Sequence, residues 1–144
     1  MNRVSEILDE KGRQVFTIDP GATVTEAVQK MCVHKVGALL VCDGDRPVAT
    51  FTERDLMSRV VVCDWDPRRT FVRDVMTPDV VSVGPDTDAR EAMSLMTLHR
   101  CRHLAVVAAG RLVGIISMGD LVRQAGKEQS FELSMLRDAA MYGN

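Results

Sequence analysis

Thr50-Phe51-Thr52-Glu53-Arg54-Asp55-Leu56 and Ile115-Ile116-Ser117-Met118-Gly119-Asp120-Leu121 are one stretch written twice. Each runs from an apolar strand into a hydroxyl residue, reaches an aspartate three residues later and continues as an apolar helix. A hydroxyl ahead of a helix caps it, and an acid at the third helical position completes the arrangement. The same geometry admits a second reading. Unpaired N–H groups at a helix start favour a phosphate, and a carboxylate beside them can accept from the two hydroxyls of a ribose. Local spacing leaves both readings open.

The wider chain repeats with these stretches. A shift of 65 residues aligns 15–56 with 80–121 without a gap, and 12 of the 42 positions are identical. A long repeat period fixes architecture ahead of any local assignment. Most identities fall on core-type residues such as Met31/Met96, Leu39/Leu104 and Val41/Val106, which duplication alone explains. Asp55/Asp120 needs a further reason.

Each half reads in the same order. Short helical leads, 4–8 and 72–76, precede strands over 15–18 and 80–83. Turn residues at 19–21 and 84–86 follow. Thr23 with Glu26, and Asp88 with Glu91, read as capping boxes opening helices whose apolar stripes are Val24, Ala27, Val28, Met31 and Ala89, Ala92, Met93, Met96. Apolar strands at 38–41 and 104–107 turn back into 47–51 and 112–116 as hairpins. The result is a mixed α/β chain of two β-α-β-β-α repeats, 4–62 and 72–126, joined by a polar linker at 63–71. The tail, 127–144, carries Phe131, Leu133, Met135, Leu136, Ala139 and Ala140 at the spacing of an amphipathic helix.

With 144 residues, a 46% apolar and 26% charged composition and a net charge of −2, the chain reads as a globular protein without a footprint for nucleic acid or an anionic membrane. Cys32, Cys42, Cys63 and Cys101 form no paired spacing and read as reduced thiols. No apolar run approaches a membrane span and residues 1–6 hold no signal region, so the expectation is a cytoplasmic protein.

The stretches "Gly-Ala-Leu-Leu-Val", "Val-Ala-Thr-Phe-Thr-Glu-Arg-Asp-Leu", "Arg-His-Leu-Ala-Val-Val" and "Val-Gly-Ile-Ile-Ser-Met-Gly-Asp-Leu" resemble a tandem pair of cystathionine-β-synthase-type (CBS) domains over roughly 4–125. The chain is similar to small stand-alone bacterial members of that family. The resemblance implies a pseudo-twofold module with two clefts between its halves, frequent disc-like homodimers, a downstream protein that reads its state, and adenosine-containing ligands such as AMP, ATP, NAD(H) or S-adenosylmethionine. Carried over by position, the first cleft uses Asp120 for the ribose and Ser117 near the phosphate. Thr17, Ala22, Val36, Gly37 and Ile115 line the adenine there, and Arg102 with His103 faces the phosphate. The second cleft uses Asp55, Thr52, Thr50, Ser82, Thr87, Cys101 and Ala38, with Arg54 in reach of phosphates. Because Gly37 and Ala38 match Arg102 and His103, the Asp120 cleft is expected to hold phosphorylated ligands more tightly. Leu40 and Ala105 stand where many members carry proline, which reads as a packing change.

Other chemistries fit less well. His99 and His103 have the i, i+4 spacing of a zinc pair, but His34 aligns with His99 at a helix end, so a helix break separates the two. Cys101 beside histidines and arginines could have a lowered pKa, but no orienting residue or oxyanion segment accompanies it, and no phosphate-binding glycine loop occurs. The expectation is a non-catalytic sensor without a metal. Its rivals are a ligand-independent dimerisation scaffold, in which the aspartates only cap helices, and a redox- or metal-responsive protein built on Cys101.

Overall fold

The computed structural model describes residues 2–78, 80–127 and 136–137. Two helices lead the halves: α1 (Val4–Lys11) and α4 (Val72–Val75). The first half continues with β1 (Thr17–Ile18), α2 (Val24–His34), β2 (Ala38–Asp43), β3 (Arg46–Thr52) and α3 (Glu53–Asp55). The second continues with β4 (Thr77–Pro78), β5 (Ser82–Val83), α5 (Ala89–His99), β6 (His103–Ala108), β7 (Arg111–Ser117) and α6, over 118–127. The sheets run β1-β2-β3-β4 and β5-β6-β7, with β1 parallel to β2, β5 parallel to β6, and both hairpins antiparallel. The tail helix expected over 127–144 lies outside the described residues, apart from its first residue and the exposed pair 136–137.

Periodicity explains the elements. Val24, Ala27 and Met31 of α2 and Ala89, Ala92 and Met96 of α5 are the buried stripe of each helix. Thr23 accepts from the Glu26 amide at 3.2 Å, as the spacing predicts. Asp88 departs from the expected box: it accepts from the Arg90 amide, the second helical N–H, at 2.7 Å. The helices end at His34 and His99, each followed by a left-handed residue, Lys35 and Arg100. β1 and β5 hold only two residues each, shorter than the apolar runs suggested, since just that part pairs with the neighbouring hairpin strand.

The lead helices exchange places. Val4 N donates to Thr87 O (2.9 Å) and Ser5 N to Pro85 O (2.8 Å), so α1 starts against the second half. Its Val4, Ile7 and Leu8 join Ala92, Leu104 and Ile116 in the second core. In turn Val72 N donates to Ala22 O (2.9 Å), and Val72 and Val75 complete the first core with Leu39, Val41 and Phe51. Gly114 permits the α1 contact: a Cβ there would stand 2.8 Å from Leu8 Cδ2. A third cluster, Leu40 and Cys42 with Ala105, joins the sheets.

The halves differ after the repeated stretch. α6 is α-helical, whereas α3 passes into a π-helical segment, Leu56–Val61, continued by the i+5 bond from Val62 N to Met57 O (3.0 Å). π-turns inside helices are rare and frequently lie at functional sites. No helix among the described residues is long and apolar enough to cross a membrane.

Candidate functional site

Both repeated aspartates are buried, Asp55 at 4% and Asp120 at 5% exposure, so each carboxylate must be satisfied by the protein around it. Each closes a capping arrangement. Thr52 N donates to Asp55 Oδ2 (2.9 Å) while Asp55 N donates to Thr52 Oγ1 (3.2 Å). Ser117 N donates to Asp120 Oδ2 (2.8 Å) and Asp120 N to Ser117 Oγ (3.1 Å).

Their second partners differ. The Thr77 hydroxyl donates to Asp55 Oδ1 at 2.7 Å, with the Arg59 Nε at 3.8 Å. Asp120 is bound by cations instead: Lys11 Nζ donates to Oδ2 at 2.7 Å, and Arg123 pairs with Oδ1. Burial works to raise the Asp120 pKa, but the Lys11 ammonium and the Ser117 bonds outweigh it and hold the carboxyl below its ordinary value.

A cavity of about 250 Å³ opens between the sheets. Leu40, Thr50, Thr77 and Pro78 form one wall, and His99, Arg100, Cys101, His103 and Ile115 another. Thr77 lies opposite Thr50 in the β3–β4 pairing, so its hydroxyl stands between Asp55 and the cavity. The cavity therefore gathers Thr50 and Cys101 from one expected cleft and His103 and Ile115 from the other.

The remaining expected residues are distributed around it. Ala38 pairs with Thr52 at the start of the first hairpin, and Ser82 is exposed beside Ala105. Thr87 accepts from Gly84 N (3.1 Å), which commits its hydroxyl to the turn. Thr17 lends its carbonyl to the Lys30 ammonium. Ala22 and Val36 pack on the first core, and Gly37 faces the Glu53 carboxyl, 3.2 Å from where a Cβ would be. Arg54 and Arg102 are exposed and make no ion pair among the described residues.

The cationic pair expected from Arg102 and His103 is one cation. His103 keeps an exposed face at the cavity mouth, but desolvation on its other side, then Lys11, lower its pKa; Asp120 opposes and Arg102 adds to the lowering. At neutral pH the imidazole is uncharged. Sequence reasoning missed Lys11, Thr77, Arg59, Arg123 and Arg100. The first two, the last residue of α1 and the first of β4, lie outside the gapless repeat. Arg59 and Arg123 were visible as cations one turn beyond each aspartate.

The CBS domain family profile matches residues 4–62 and 72–127. The chain is a CBS-domain protein. It is 34% identical over 128 residues to the CBS domain-containing protein YhcV of Bacillus subtilis, covering 88% of this chain and 91% of that one. A solved CBS-domain protein from Burkholderia ambifaria superimposes with a TM-score of 0.79 at 40% identity, covering 86% of this chain and 93% of the other. The CBS domain protein PAE2072 from Pyrobaculum aerophilum, solved in complex with AMP, superimposes with a TM-score of 0.73 at 28% identity, over 83% and 89% of the two chains. The mixed α/β architecture matches these neighbours, and the pair of CBS domains is a regulatory module.

The thiols and imidazoles have other settings. All four cysteines are free. Burial, with Asp45 nearby, pushes the Cys42 thiol up, which keeps it protonated. His34 stacks on Phe16 with centroids 4.1 Å apart. Among the described residues no three His, Cys, Asp or Glu side chains gather as metal ligands.

Proposed function

We propose that this CBS pair is a non-catalytic sensor that binds an adenosine-containing nucleotide (AMP, ATP or NAD(H)) in the cavity between its sheets and signals by shifting the arrangement of its halves or protomers. The cavity carries this reading. A hydroxyl-bearing wall backed by a buried carboxylate faces a wall with Arg100 and two imidazoles, which suits a sugar at one end and an anion at the other. The AMP complex of the Pyrobaculum relative supports the ligand class. A bound ligand can move the equilibrium only by its differential affinity for the two arrangements.

The homodimer belongs to the same proposal. Val33 and Leu98, matched across the repeat, are 74% and 75% exposed, and Met57 and Val122 form a second matched exposed pair. Apolar side chains recurring at equivalent places on both halves suit a face that meets a second copy.

One observation favours the scaffold as a second reading: both carboxylates are already engaged in capping their own helices. Calorimetry separates the two. The sensor binds AMP, ATP or NADH, and Asp55→Asn with Thr77→Val weakens that binding while the fold is retained. A scaffold gives no nucleotide heat and an unchanged dimer.

A further inference from the structure

The two halves finish their hairpin edges differently. In the first, β4 lies along β3, and the Thr77 hydroxyl reaches Asp55. Ile115 holds the place of Thr50 in the second half, but among the described residues β7 pairs only with β6 there. Lys11, the last residue of α1, crosses that open edge instead. Its Nζ donates to the Ile115 carbonyl at 3.0 Å and to Asp120 Oδ2 at 2.7 Å, while Arg123 binds Oδ1. The space beside Asp120, about 210 Å³, is walled by Lys11, Arg123 and Lys127 together with Glu10.

We propose that Lys11 is a built-in occupant of the Asp120 seat, so that the chain takes one adenosine ligand, at the Asp55 end of the cavity, and uses Asp120 to tether α1. The ligand half of this inference rests on the nucleotide reading above; the tether does not. Displacing Thr77 from Asp55 exchanges one hydroxyl for another. Displacing Lys11 exchanges a bond between two full charges for one from a neutral hydroxyl to the same carboxylate, and so gives up the ion-pair attraction. It also strips the ammonium of the Ile115 carbonyl. Leu8, packed against Gly114 one turn earlier, keeps α1 on this edge and so keeps Lys11 within reach. Lys11 thus decides which of two duplicated acids is open to a ligand.

Titration calorimetry with AMP on the wild type, Lys11→Met and Lys11→Met/Asp120→Asn tests this. Methionine keeps an unbranched apolar stem and removes the charge. The expected result is one AMP per wild-type chain, two per Lys11→Met chain, and one again in the double variant. Two AMP per wild-type chain, or one per Lys11→Met chain, overturns the proposal. If AMP binds none of them, the nucleotide reading fails, and a thermal cycle of Lys11→Met, Asp120→Asn and the double variant judges the tether alone. The tether predicts that Lys11→Met lowers Tm by about 4 °C and Asp120→Asn by about 8 °C, and that the double variant falls no further than the worse single. Additive losses overturn it.

Discussion

Asp55 and Asp120 occupy the same place in two copies of one hairpin, and their helix caps agree to within about a tenth of an ångström. Their surroundings do not. Asp55 is completed by a hydroxyl from β4 at the edge of a 250 Å³ cavity; Asp120 is completed by the ammonium of α1 and a guanidinium from its own helix. Duplication preserved what a helix needs at its start, which is local. It did not preserve what approaches from the crossed-over leads, which is tertiary, and that second layer decides what each acid can do.

The sharpest way to break the comparison is to push α1 off the second half. Gly114→Val places a side chain inside Leu8 and is expected to destabilise by about 3 kcal/mol in urea unfolding. The matching residue, Ala49, already carries a Cβ, so Ala49→Gly is expected to cost only about 1 kcal/mol. Equal losses would mean that the leads do not distinguish the halves.

Neutralising the acids comes next. Asp120→Asn removes the anion from a buried, cation-bound position and is expected to cost about 2 kcal/mol, allowing for the partial exposure of Lys11. Asp55→Asn keeps the Thr77 hydroxyl as a partner and loses only the longer, half-exposed Arg59 pair, and is expected to cost about 1 kcal/mol. The reverse order, read by chemical denaturation at pH 7, would contradict the assignment of partners.

Acid titration sharpens the same contrast. Asp120 has a folded pKa below its ordinary 3.8, so the folded state binds its proton less readily than the unfolded chain does. Its contribution is complete above that ordinary value and is lost as pH falls through the lower folded one. His103, also lowered from its ordinary 6.5, adds stability that is present above about pH 6.5 and declines as pH drops toward its folded pKa. In Lys11→Met the His103 pKa should rise, followed through its imidazole proton shifts by NMR; an unchanged value would place Lys11 away from that group.

The smallest expected effect on stability is at the exposed matched pair. Val33→Ser with Leu98→Ser should change unfolding by less than about 0.5 kcal/mol, yet shift sedimentation toward monomer if that face meets a second copy. Unchanged sedimentation would remove it from the proposed dimer.

Much of this was legible in the sequence, and the division has a physical cause. The repeat, the hairpins, the helix ends at His34 and His99 and the two caps follow from periodicity and short-range hydrogen bonding, which a linear text records. The exchange of α1 and α4 does not: Val4 and Val72 look alike, and nothing near either states which core it enters. Lys11 and Thr77 were missed for the same reason, since each acts on an acid far away in the chain. The uncharged state of His103 also depends on a cavity wall that no spacing encodes.

A crystal structure of the protein grown with saturating AMP tests the central claim most directly. The account predicts one nucleotide per chain in the cavity between the sheets, with its ribose hydroxyls at Asp55 in place of Thr77 and the Lys11–Asp120 pair intact. AMP on Asp120 with Lys11 displaced, or an empty cavity with Thr77 still on Asp55, would contradict it.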